Sequence, residues 1–133
     1  MRNSDILPIY IEAYHLTQDF FKQTIKFPKE YRFLLGSQLN QESIELCTLI
    51  AGVHRTSAKQ ELLEEIFHQL DKIRIIFRLC TDFKLLSNQQ QAIIATRLEK
   101  ITGQAKAWHK SERRKKDHNI HLPESGTTPS YPE

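Results

Sequence analysis

Residues 63–80 read LEEIFHQLDKIRIIFRLC, and their apolar members Leu63, Ile66, Leu70, Ile73, Phe77 and Cys80 recur at alternating three- and four-residue steps. That period matches the 3.6-residue helical turn and not the two-residue alternation of a strand, so the stretch is an amphipathic α-helix. Arg74 and Arg78 stand one turn apart within it. A guanidinium is seldom buried alone, so each must meet a carboxylate, reach water or face an anion such as phosphate.

The same period extends in both directions. Upstream, Ile6, Ile9, Ala13, Leu16, Phe20 and Phe27 mark one face of a first helix, interrupted by polar Gln23. Pro28 ends that helix and suits the first turn of the next. The second seam runs Leu35, Leu39, Glu42, Leu46, Leu49 and Val53, which places the Glu42 carboxylate at a core position. Thr56 or Ser57 can cap the third helix, and Ser87 or Asn88 the fourth. The fourth seam is Ile94, Leu98, Ile101, Ala105 and Trp108. Four amphipathic helices with short connections predict an all-α, antiparallel up-down four-helix bundle.

After Lys116 the apolar period stops and Pro123, Ser125, Gly126, Pro129, Ser130 and Pro132 accumulate. Residues 1–116 are therefore expected to form the bundle domain, and 117–133 a disordered polar tail. The formal charge of the 133-residue chain is +3. All 19 Lys and Arg and all but three of the 16 acids fall within 1–116, so the bundle itself carries +6. The folded part is clearly basic, while a net charge of +3 does not by itself establish a polyanionic partner. The N-terminus lacks a basic segment followed by an apolar run, and no stretch is apolar enough to cross a membrane; a cytoplasmic location without membrane contact is expected.

Few motifs of catalysis are present. With only four glycines there is no phosphate-cradling GxxxxGK and no GxGxxG, and neither GxSxG nor HExxH occurs. Cys47 and Cys80 read as inert core thiols in a reducing compartment; pairing of either with His54 is the remaining nucleophilic option. His118 and His121, three apart, could share a metal, but no further ligand stands near them. No catalytic residue, cofactor, metal or small-molecule substrate is assigned. Trp108 sits on a seam, which fits a core or interface role better than base stacking.

Three groups of cations remain as candidate contacts for a nucleic acid or a protein partner. Arg74 and Arg78 have Asp71 and Asp82 at helical spacing and Glu42 across the bundle, so a salt-bridged face and a partner-binding face are both open. Lys106, Lys110, Arg113, Arg114, Lys115 and Lys116 run off the end of the fourth helix, where cations also complement the helix dipole. Lys22, Lys26, Lys29 and Arg32 bracket the turn at Pro28. In an antiparallel bundle that turn shares an end with the third-to-fourth connection while the fourth helix ends at the other pole, so one monomer cannot gather all three groups.

The run Phe27-Pro28-Lys29-Glu30-Tyr31-Arg32-Phe33-Leu34-Leu35-Gly36, with Ile73-Arg74 through Arg78-Leu79 and then Leu85-Leu86-Ser87, resembles the accessory variability determinant family (Avd) of diversity-generating retroelements. That family belongs to a wider four-helix-bundle group that includes proteins encoded in intervening sequences of large-subunit rRNA genes. The resemblance covers about Tyr10 to Lys110, with a tryptophan closing the fourth helix. It implies a homopentameric ring of bundles with a basic surface that binds the retroelement's reverse transcriptase and its template-repeat RNA, supporting mutagenic cDNA synthesis without catalysing it. Arg74 and Arg78 would lead those contacts. A homo-oligomeric protein-interaction module of the wider group, with no retroelement role, is the alternative.

Overall fold

The structure, a computed structural model, describes residues 3–121, with side chains over 8–117. Four helices make up almost all of it. α1 spans Asn3–Thr24. α2 runs over residues 29–52 in three pieces: Lys29–Tyr31, a π-helical stretch Arg32–Gly36, and Ser37–Gly52. After a 3₁₀ turn at Val53–Arg55, α3 covers Lys59–Asp82 and α4 covers Asn88–His121. No strand occurs among the described residues. α4 thus carries the helix through residues 117–121, past the boundary expected after Lys116; the rest of the expected tail, 122–133, lies outside the described residues.

Each helix packs on the next and α4 packs back on α1, closing a four-helix bundle. The seams of α1 and α4 bury as the period predicts, Ile9, Ala13, Leu16 and Phe20 from one and Ile94, Leu98, Ile101, Ala105 and Trp108 from the other, whereas Phe27 is buried from the turn after Thr24, where α1 ends ahead of the expected stop at Pro28. The side chain of Ile6 lies outside the described residues. Thr24 fills the gap left by Gln23, its hydroxyl accepting a 3.0 Å bond from Asn40 Nδ2 on α2. Thr17 Oγ1 donates to the carbonyls of Ala13 (2.9 Å) and Ser43 (3.3 Å), so hydroxyls sit between α1 and α2 with their hydrogen bonds made.

α2 departs from the expected seam. Ser43 and Ile50 are buried, while Glu42 and Leu49 lie half-buried at the edge facing α3. A π turn holds more residues than an α turn, so Leu35 is out of phase with the rest of α2; counted from Leu39, the buried steps are Ser43, Leu46, Ile50 and Val53. Gly36 lies where this wide turn crosses α1. A Cβ there would come 3.2 Å from Thr24 Cβ, and the glycine permits the close approach. In α3 the change is smaller. Ile76 is buried and Phe77 half-buried, because a strict heptad drifts by about 20° per repeat on a straight helix.

The helix ends follow local chemistry. Ser87 caps α4, its hydroxyl accepting from the Gln90 N–H at 3.1 Å, while Thr56 takes the Ala58 N–H at 3.0 Å just ahead of α3. α3 stops in a Schellman turn: Leu85 N–H donates to Cys80 O (2.9 Å) and Lys84 N–H to Thr81 O (3.0 Å), with Lys84 at φ 60°. A lysine in the left-handed region carries a steric cost that glycine does not, so Lys84→Gly is expected to raise stability by about 1 kcal/mol in urea unfolding. An unchanged midpoint would show that the turn is unstrained.

Candidate partner-binding faces

Helical spacing directs Arg74 and Arg78 towards α4, but the structure gives them different surroundings. The Arg74 guanidinium donates to the Thr102 hydroxyl on α4, which itself donates to Leu98 O at 2.8 Å. Asp71 lies 3.7 Å away on the same helix. Arg74 is thus a tie between α3 and α4. Arg78 is 80% exposed and meets only Asp82, at 3.8 Å, among the described residues. A pair so wet contributes little to folding, and the guanidinium is free to change partner.

Glu42 reaches neither arginine. Its carboxylate accepts from Gln69 Nε2 at 2.6 Å and lies 3.6 Å from Lys72 Nζ. The cause is the shifted phase of α2, which turns Glu42 to the edge where Gln69 and Lys72 of α3 stand. The cross-bundle bond available to Arg74 and Arg78 in the sequence is therefore not made.

Between α3 and α4 lies a groove of ≈ 650 Å³ whose lining includes Ile75, Phe77, Arg78, Leu79, Ala95 and Leu98. Ile75 and Leu79 stand out of the core, 63% and 39% exposed. Leu98 is buried and Ala95 is small, so the groove has an apolar floor with Arg74 and Arg78 on one bank and Glu99 on the other. Sequence reasoning passed over this groove. The signal was present in Ile75 and Leu79, two large apolar residues that fall outside the seam of α3.

The other basic residues occupy the two ends. Tyr31 packs on Phe83 with centroids 5.4 Å apart, which brings the α1–α2 turn, with Lys26, Lys29 and Arg32, to the end of α3. All three cations are exposed, and Arg32 Nη2 donates to Phe27 O at 3.3 Å. At the far end, His109 of α4 sits 3.2 Å from Glu64 and edge-on to Phe67 on the early turns of α3. Lys106, Lys110, Arg113, Arg114, Lys115 and Lys116 are exposed along that end of α4, Lys115 paired with Glu112 at 3.3 Å. An acidic groove of ≈ 440 Å³ between α2 and α3, lined by Glu45, Glu61, Glu64 and Glu65, opens nearby and offsets part of this charge. The cations of residues 26–32 and those of residues 106–116 thus stand at opposite ends of α3.

The thiols are poor nucleophiles. Burial pushes Cys80 up to about 11, and it raises Cys47 against the opposing hydrogen bond of Thr17. No contact joins either cysteine to His54, which is exposed in the 3₁₀ turn. No group of three or more metal-ligating side chains occurs among the described residues; the side chains of His118 and His121 lie outside them. Among the described residues no helix is long and apolar enough to cross a membrane. The chain matches no protein-family model and no curated protein.

Proposed function

We propose that this chain is a non-catalytic, Avd-like accessory protein of a diversity-generating retroelement, an antiparallel up-down bundle that acts in the cytoplasm by binding the reverse transcriptase and template-repeat RNA. The observation that carries the reading is the α3–α4 groove with Arg78 exposed on its bank. An apolar trough beside an exposed cation suits an amphipathic helix that presents a carboxylate, so the groove is the seat for the reverse transcriptase. The basic residues outside it supply electrostatic attraction to RNA. The raised pKa values of the two thiols, which make them poor nucleophiles, support the non-catalytic role.

Assembly as a homopentameric ring belongs to the same proposal. Outside the groove, large apolar side chains are exposed on two different faces: Ile11, Tyr14 and Phe21 on α1, and Ile93 on α4 beside Arg97 and Lys100. Apolar residues in such number on a bundle this small favour burial against further chains. Two unlike faces suit a head-to-tail contact, which closes into a ring. That same observation also favours the second reading, a homo-oligomeric interaction module without a retroelement role.

Paired single variants test the proposal against the reverse transcriptase encoded beside the gene. Arg78→Ala is expected to weaken binding about tenfold or more while leaving stability within ~0.5 kcal/mol, as for an exposed site. Arg74→Ala is expected to cost about 1–2 kcal/mol of stability through the lost tie to Thr102. Light scattering should give a pentameric mass for both the wild-type chain and Arg78→Ala. Binding insensitive to Arg78, or the lack of a reverse-transcriptase gene with near-identical repeats beside it, would leave the interaction-module reading; a monomeric mass would remove the ring.

A further inference from the structure

The pole formed by the α1–α2 turn and the end of α3 carries apolar side chains that neither the core nor the groove uses. Phe33 and Leu34, in the π-helical stretch, are 71% and 67% exposed, and Ile25, at the end of α1, is 69% exposed. Phe83 is half exposed although it packs on Tyr31. Around them run cations. Lys22 stands on the last turn of α1, Lys26 in the turn that follows, Lys29 and Arg32 at the start of α2, and Lys84 beside Phe83. The four lysines form no ion pair among the described residues. Glu30 and Asp82 are the acids that these segments expose, and Asp82 already faces Arg78.

We propose that this pole is a binding site for single-stranded nucleic acid, in which unpaired bases stack on Phe33 and Phe83 while Lys22, Lys26, Lys29 and Arg32 follow the phosphates. Cations gathered at one end of the bundle with few opposing acids suit a polyanion, whose phosphates can pair with several of them at once. Flat rings beside such cations accept any base, because every base has a π-face. An A-form duplex hides those faces within its stack, so the rings select for unpaired strands. The site rests on the RNA-binding reading above, and it moves the RNA contact away from the Lys106–Lys116 end, where glutamates of α2 and α3 stand opposite.

The test is anisotropy titration of the full chain with a labelled single-stranded RNA, the same length of abasic strand, and a duplex of that length. The wild-type chain is expected to bind the intact single strand tightest. Phe33→Ala is expected to weaken that binding about fivefold or more, the range of one lost base stack, while abasic and duplex binding stay as they were. Phe33→Leu, which keeps the apolar bulk without a ring, should be as weak as Phe33→Ala, whereas Phe33→Trp should restore binding. The double variant Lys26→Ala with Lys29→Ala should flatten the salt slope by about 1–1.5. If Phe33→Leu binds as wild type, the contact is not stacking and the proposal fails. It also fails if Phe33→Ala leaves RNA affinity intact while changing the mass in light scattering, which would make the pole a contact between copies. Equal RNA affinity with loss of sedimentation on phosphatidylserine vesicles would instead make it a lipid-facing surface. Absence of any RNA binding by the wild-type chain would overturn the RNA part of the proposed function along with this site; binding that ignores Phe33 overturns this site alone.

Discussion

Arg97→Ala is expected to lose about 2–3 kcal/mol of folding stability at pH 7, more than any other charge substitution in the bundle, since removing one member of a buried ionic group strands the others. Arg97 Nε donates to Asp19 Oδ2 at 2.8 Å and Nη1 to Glu12 Oε1 at 3.1 Å, so one guanidinium on α4 holds two carboxylates on α1. All three side chains are largely buried, with 27%, 21% and 15% exposure for Arg97, Asp19 and Glu12. Without Arg97, Glu12 keeps Lys100 at 3.0 Å, but Asp19 is left without a cation. Arg97→Lys restores the charge and not the planar fork, and should recover only a fraction of the loss.

The same network sets a pH dependence. Hydrogen bonding from Lys100, then the charges of Lys100 and Arg97, hold the Glu12 carboxyl below its ordinary value of 4.5 against the opposing effect of burial. A pKa lowered by folding adds stability above the unfolded value and gives it up as the pH falls through the folded one. Urea midpoints of the wild-type chain should therefore decline below about pH 4.5, and those of Arg97→Ala should decline less over that window. A loss under ~1 kcal/mol at pH 7, with parallel pH curves, would show that the network is solvated and adds little.

Phe20→Ala is expected to have the larger effect, about 3–5 kcal/mol, the usual cost of emptying a ring-sized space in a core that relaxes only partly. Phe20 is wholly buried on the seam of α1. Phe33→Ala provides the contrast within one chain, since an exposed ring should leave stability within ~0.5 kcal/mol. Denaturant unfolding with an unchanged m value reads both. A Phe20→Ala loss under ~1 kcal/mol would mean that the helices close over the vacancy and that the seam is not tightly packed.

How much of this was legible beforehand varies along the chain. The seams of α1 and α4 could be read because their three- and four-residue steps run through uninterrupted helix, and Ser87 announces the start of α4. α2 could not be read so well. Two three-four patterns fit its residues, one through Glu42 and Leu49, the other through Ser43 and Ile50, and the choice depends on how α2 is rotated against its neighbours, which no residue type announces. The ties of Arg97 to Glu12 and Asp19 were equally hidden, since they join residues more than seventy positions apart and need the relative rotation of α1 and α4. For Arg74 and Arg78 the spacing revealed the shared face but not the unequal depth. Periodicity fixes direction around one helix, and depth depends on what the neighbouring helix places there, in this case Thr102 against Arg74 and open groove against Arg78.

The π-helical stretch Arg32–Gly36 also decides where one charge resides. Counting back from buried Leu39 through an unbroken α-helix, the seven-residue repeat would return to Arg32 and point it into the core. The wide turn inserts a phase slip at this place, and Arg32 comes out exposed, while Gly36, three residues before Leu39, keeps the inner phase. A guanidinium sealed among leucines would need a counter-charge that the seam does not hold. α2 is therefore a helix of two phases, in which the later one serves the interior and the earlier one is largely released from it, so substitutions over residues 32–34 alter the surface without asking the bundle to repack.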